Sequence, residues 1–196
     1  EADGDTLYFL SWDGKIAIKR PSAEGETLYQ LGNGRTEVNL YGAMRLEHEW
    51  VIFTNLGSHL FDFNSHQVSR YQALPIKNAQ VQSDNRGNFW VYNQTGRVWY
   101  VNAQTHAIKS FQLMPPEKVK YIDEERYHFV HDSRDIIWIS TYGNGLFAYD
   151  LKSDELQHFE SHIDRVNLIP SNFLQYIMED RSGGIWVSSE YTGISH

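Results

Sequence analysis

One pattern of apolar and polar positions recurs along this chain. An Asp is followed by a turn, an apolar–aromatic–apolar triplet, polar residues with Gly, and then a second aromatic run. The clearest copies are Asp84-Asn85-Arg86-Gly87-Asn88-Phe89-Trp90-Val91, Asp132-Ser133-Arg134-Asp135-Ile136-Ile137-Trp138-Ile139 and Asp180-Arg181-Ser182-Gly183-Gly184-Ile185-Trp186-Val187, with the Asp six residues before the Trp each time. Leu7-Tyr8-Phe9 and Trp50-Val51-Ile52 align by position as degraded copies. Taking Tyr8, Val51, Trp90, Trp138 and Trp186 as equivalent gives spacings of 43, 39, 48 and 48, the period of a four-stranded propeller blade. Shorter helical repeats would need a 3.6-residue periodicity that the chain lacks.

Each unit reads as four short strands. In the fourth these are Tyr127 to His131, Ile136 to Thr141, Leu146 to Asp150 and Leu156 to Phe159. The turns Asp13-Gly14, Gly57-Ser58, Thr95-Gly96 and Asn144-Gly145 fall at matching places between second and third strands. The expectation is an all-β propeller segment of four to five blades spanning 1–196, part of a larger, seven-bladed type. Its repeat units are 1–47, 48–83, 84–131, 132–179 and an incomplete 180–196. Pro116 to Arg126, with Asp123-Glu124-Glu125, reads as a charged surface insertion.

Composition narrows the function classes. Among 196 residues, 17 Lys and Arg stand against 25 Asp and Glu, a net charge of −8, and no stretch gathers the positive charge. A nucleic-acid or anionic-membrane surface is therefore not expected. No window approaches a membrane span, so no membrane contact by this segment is expected, and nothing in Glu1-Ala2-Asp3-Gly4 addresses the chain. The absence of Cys excludes disulfides, thiolate catalysis and Cys-bound zinc.

The periodic Trp and Asp have a structural reading: one aromatic per blade packs between neighbouring sheets, and the Asp caps its turn by accepting backbone N–H groups. Trp12-Asp13 is a single pair, not the Trp-Asp of a WD repeat. The stretch Ser83 to Trp90 departs from a sialidase-type Asp box, whose Asp lies five residues before its Trp. His128 and His131, three apart on a strand, point to opposite faces, and His158 to His162 is not a zinc-helix motif, so no metal and no cofactor are expected. A glycosidase needs paired carboxylates, and Glu190 has no nameable partner, so no catalytic residue is assigned. The loops between second and third strands carry the chemistry of sugar recognition, flat aromatics beside amides and carboxylates. The candidate ligand-binding residues there are Trp12, Asp13, Asn55, Asn93, Tyr142, Asn144, Glu190 and Tyr191.

The stretch from Asn167 to Val187, with Glu179-Asp180, Gly183-Gly184 and Ile185-Trp186-Val187, resembles the two-component regulator propeller repeat. Asp132 to Asp150 is a second good match, with Ile137-Trp138-Ile139, Gly143-Asn144-Gly145-Leu146 and Tyr149-Asp150, and Asp84 to Asn102 a weaker third. The resemblance implies a non-catalytic periplasmic sensor propeller of a hybrid two-component system. Its partners would be an oligosaccharide, the remaining blades and downstream domains of a parent chain with a histidine kinase, and a second copy in a homodimer. The alternatives are a polysaccharide lyase or glycosidase, and a scaffold that binds protein through the same rim.

Overall fold

In the computed structural model the strands hydrogen-bonded within each sheet are neighbours in sequence, and the described pairings are antiparallel. The structure describes residues 2–3, 5–20, 25–32, 34–119, 127–162 and 169–196; Asp123-Glu124-Glu125 of the expected insertion lies outside them. They fall into two units, Glu1–Val81 and Gln82–His196. The first holds β1 (Ala2–Asp3), β2 (Thr6–Leu10), β3 (Lys15–Lys19) and β4 (Thr27–Gln30) as one sheet. Its second sheet is β5 (Leu40–Leu46), β6 (Glu49–Thr54), β7 (Gly57–Asp62) and β8 (Val68–Arg70).

The second unit has three sheets. The third sheet is β9 (Gln80–Ser83), which starts just before the unit boundary, β10 (Phe89–Tyr92), β11 (Arg97–Val101) and β12 (Ile108–Gln112). The fourth is β13 (His128–His131), β14 (Ile136–Ser140), β15 (Leu146–Asp150) and β16 (Leu156–Phe159). The fifth is three-stranded: β17 (Leu174–Glu179), β18 (Ile185–Ser189) and β19 (Gly193–Ser195). The architecture is all-β, built from the four-stranded meanders of a propeller. The three units that start at an Asp, 84–131, 132–179 and 180–196, each begin just before the second strand of a sheet, so there sheets and units are one strand out of phase.

Alternation along the strands gives each sheet two faces, and the faces pack in sequence order within each unit. Tyr8, Ile16 and Ile18 of the first sheet meet Trp50, Ile52, Phe61 and Phe63 of the second. Val51 points to the opposite face of β6 from Trp50 and Ile52 and is also buried. In the second unit Trp90 and Tyr92 pack on Phe129, Ile137 and Ile139, with the Trp90 and Phe129 rings stacked at 5.0 Å and 6°. Val130, Leu146, Ile177 and Val187 form the next layer, against which Trp138 and Phe159 rest. Tyr127 stacks on Tyr92 at 4.9 Å; burial pushes its phenol up to about 12, and its hydroxyl has no hydrogen-bond partner among the described residues.

The recurring Asp does more than cap its turn. One carboxylate oxygen of Asp84 accepts the N–H groups of Arg86 and Asn88, both at 2.9 Å, while the other accepts the Trp90 indole at 3.1 Å. Asp132 divides itself in the same way, between Arg134 and Ile136 N–H at 2.9 Å and the Trp138 indole at 3.0 Å. Asp180 takes Ser182 and Gly184 N–H at 2.7 and 3.0 Å and the Trp186 indole at 2.5 Å. The six-residue spacing is thus the reach from a turn carboxylate to an indole near the start of the next strand.

The expectation that each of these Trp residues packs between sheets is corrected for Trp186. It is 38% exposed and its described ring neighbour is His196, because the fourth sheet packs on the opposite face of the fifth, the one that carries Ile177 and Val187.

For Asp132, burial works to raise the pKa, but bonds from the Trp138 indole, the Ile136 N–H and Arg134 outweigh it, and the carboxyl stays below the ordinary value. Its stabilising effect is therefore complete above the unfolded carboxyl pKa near ~4 and is lost as pH falls through the lower folded value. Asp132→Ala is expected to cost on the order of 3 kcal/mol in urea unfolding at pH 7, since it strands an indole and two backbone N–H groups. Below about pH 4 its deficit relative to the parent narrows. Tyr127→Phe removes an unsatisfied hydroxyl, so the same unfolding measurement is expected to show no loss of stability, or a gain of up to ~1 kcal/mol.

Candidate functional site

The loops joining second to third strands are closed by a hydroxyl at the end of the second strand. Thr54 Oγ1 donates to the Gly57 carbonyl at 2.9 Å, Thr141 Oγ1 to Gly145 at 2.7 Å and Ser189 Oγ to Gly193 at 3.0 Å. Ser11 Oγ reaches the Lys15 carbonyl at 3.2 Å. The chain connecting one sheet to the next passes beside the same loops: Leu40 N–H bonds to Trp12 O, and Gly143 and Gly145 N–H both bond to Asn172 O. A Cβ on Gly145 would sit 2.3 Å from the Phe159 carbonyl, so this loop admits only Gly there.

In the first unit Trp12 projects into solvent, 75% exposed. It borders a cleft of about 340 Å³ with Asp13, Gln30, Glu37 and Asn39. Asp13 accepts from Lys15 and Ser11, which together hold its carboxyl below the ordinary value. Asn55 is spent on structure. Its amide donates to the Glu37 carbonyl at 3.0 Å and accepts the Asn39 N–H at 2.8 Å, tying the loop to the chain that enters β5.

In the second unit Asn93 likewise serves its own loop, accepting Thr95 N–H and Oγ1–H at 3.1 and 2.6 Å. Asn144 is buried, with its carbonyl taken by His158 Nε2 at 2.7 Å. Tyr142, Glu190 and Tyr191 do come together. The Tyr142 hydroxyl donates to Glu190 Oε2 at 2.5 Å, and hydrogen bonding and negative charge from Glu190 push the Tyr191 phenol up. Tyr191 is 76% exposed. Phe173, which the sequence reading did not single out, completes the group. Its ring meets Tyr142 edge-on at 5.1 Å, and its carbonyl accepts the Glu190 N–H at 3.2 Å.

This cluster offers one carboxylate between two phenols, with aromatic faces open to solvent. Such a group accepts hydroxyl protons and stacks on C–H surfaces. Among the described residues no group of three or more His, Asp or Glu is able to hold a metal. His131 turns away from His128, toward Asp135 at 3.2 Å, as the strand alternation requires.

No family model and no curated protein sequence matches the chain. Solved structures do. The extracellular domain of a hybrid two-component system from Bacteroides thetaiotaomicron aligns over 97% of this chain and 25% of its own, with TM-score 0.57 and 18% identity. A second such domain from the same organism aligns over 97% and 25%, with TM-score 0.55 and 18% identity. The WD40 β-propeller domain of Doa1 aligns over 98% and 60%, with TM-score 0.52 and 11% identity. These likenesses are of fold, and the fold is that of a β-propeller. The chain spans about a quarter of the length of the two-component-system domains it matches.

If Glu190 raises the Tyr191 phenol, Glu190→Gln lowers that pKa toward the ordinary value near ~10. An NMR titration of ring-labelled tyrosine is expected to show the Tyr191 midpoint moving down in the variant, with Tyr127 unchanged.

Proposed function

We propose that this propeller segment is the ligand-recognising part of an extracytoplasmic sensor, and that the rim cluster of Tyr142, Phe173, Glu190 and Tyr191 binds an oligosaccharide. The observation that carries the reading is the carboxylate held between two phenols on an open rim. Glu190 would accept sugar hydroxyls while the exposed Tyr191 ring stacks on a pyranose face. The fold shared with extracellular domains of hybrid two-component systems supports a sensor of that kind, in a parent chain with a histidine kinase and further blades. The ligand would act by binding one state of a dimeric sensor more tightly than another, since only differential affinity moves such an equilibrium.

The test is a glycan array followed by calorimetry on the chain and on Tyr191→Ala and Glu190→Gln. A saccharide that binds the parent and loses about tenfold in affinity with each variant is the expected result, an effect of ~1.4 kcal/mol. No saccharide affinity in the parent at millimolar ligand overturns the reading.

A further inference from the structure

A different chemistry sits in the first unit, where β8 ends beneath the loop between β6 and β7. Arg70 Nη1 donates to the Leu56 carbonyl at 2.7 Å, which fixes the guanidinium against that loop. The close approach depends on Gly57, whose φ is +115° and where a Cβ would lie 3.0 Å from the same nitrogen. Arg70 has no ion pair among the described residues, and neither has Lys77.

Arg70 is a shared wall of two clefts. One, of about 410 Å³, includes Thr36, His59 and Ser69; the other, of about 310 Å³, includes Tyr71, Gln72 and Lys77. Among the described residues no acidic side chain lines either cleft, in a chain with 25 Asp and Glu. His59 is 4% exposed and its Nδ1 has no hydrogen-bond partner. Burial, and then the nearby Arg70 charge, lower its pKa and keep it neutral, so the positive charge of the site belongs to Arg70 and Lys77. Two cations without an ion pair, an imidazole nitrogen without a partner, and hydroxyl and amide side chains, with no carboxylate among the described lining residues, form an environment suited to an anion carried on a hydroxylated molecule.

We propose that the Arg70 clefts bind a carboxylate or sulfate group borne on a saccharide, with Arg70 and Lys77 pairing the anion and Ser69 and Gln72 meeting neighbouring hydroxyls. This goes beyond the rim cluster of the second unit and does not depend on it. The test is calorimetry and amide-resolved NMR of the 196-residue chain with three probes of equal length. These are oligogalacturonate, a neutral galactan oligosaccharide and a sulfated carrageenan oligosaccharide.

At least one acidic probe is expected to bind about tenfold or more tighter than the neutral one, shifting amides from Leu56 to Lys77. Which of the two binds tells carboxylate from sulfate. Affinity falls with salt, falls by a similar factor in Arg70→Gln and Lys77→Gln, and returns in part in Arg70→Lys. Thermal melts establish that each variant is folded. Equal binding of neutral and acidic probes, no binding of either acidic probe, or acidic binding that survives Arg70→Gln overturns the proposal. Failure of the rim reading alone would show as lost effects of Tyr191 and Glu190 substitutions while those of Arg70 remain.

Discussion

A carboxylate shared between a turn and an indole is the constraint on which the second unit rests. In Asp84, Asp132 and Asp180 one oxygen gathers the N–H groups of the turn while the other fixes the Trp that follows. The bond settles two things together. It sets where the second strand begins, and it sets which face of that strand carries the large ring. With the ring fixed, alternation decides the remainder of the face, and that face is what the next sheet packs on. The fourth sheet has this completed arrangement on both faces, with Trp90 and Tyr92 on one side and Ile177 and Val187 on the other.

This is also why so much of the fold was legible in the sequence. A six-residue Asp–Trp spacing is a single hydrogen bond written in the chain, so it survives in register wherever the bond is used. The equivalence of Tyr8 and Val51 with the Trp residues was readable for a weaker reason: in those copies the strand face is kept although the chemistry is lost. Val51 indeed lies on the opposite face from Trp50, the more obvious aromatic. Trp186 defeats the rule because its packing depends on a neighbour rather than on its own strand.

The candidate site was much less legible. Asn55, Asn93 and Asn144 occupy similar loops and look interchangeable in the sequence, yet one latches a passing chain, one braces its own turn and one is buried. What separates them is the path of the connection beside each loop, a non-local fact. Phe173 was missed for the same reason, being on that connection rather than in a loop. Arg70 carried no motif at all; its position against the loop emerges only once Gly57 lets a guanidinium settle there.

Leu7, Phe9 and Leu28 of the first sheet are exposed, as are Tyr176, Met178 and Ile194 of the fifth. The rim is built differently. Tyr142 is anchored to the fourth sheet, Glu190 and Tyr191 to the fifth, and the hydrogen bond between them spans the two. That bond works as a calliper. A ligand gripping both jaws would fix the angle between adjacent blades, and a blade angle imposed from elsewhere would open or close the jaws by the same free energy, since the coupling is reciprocal.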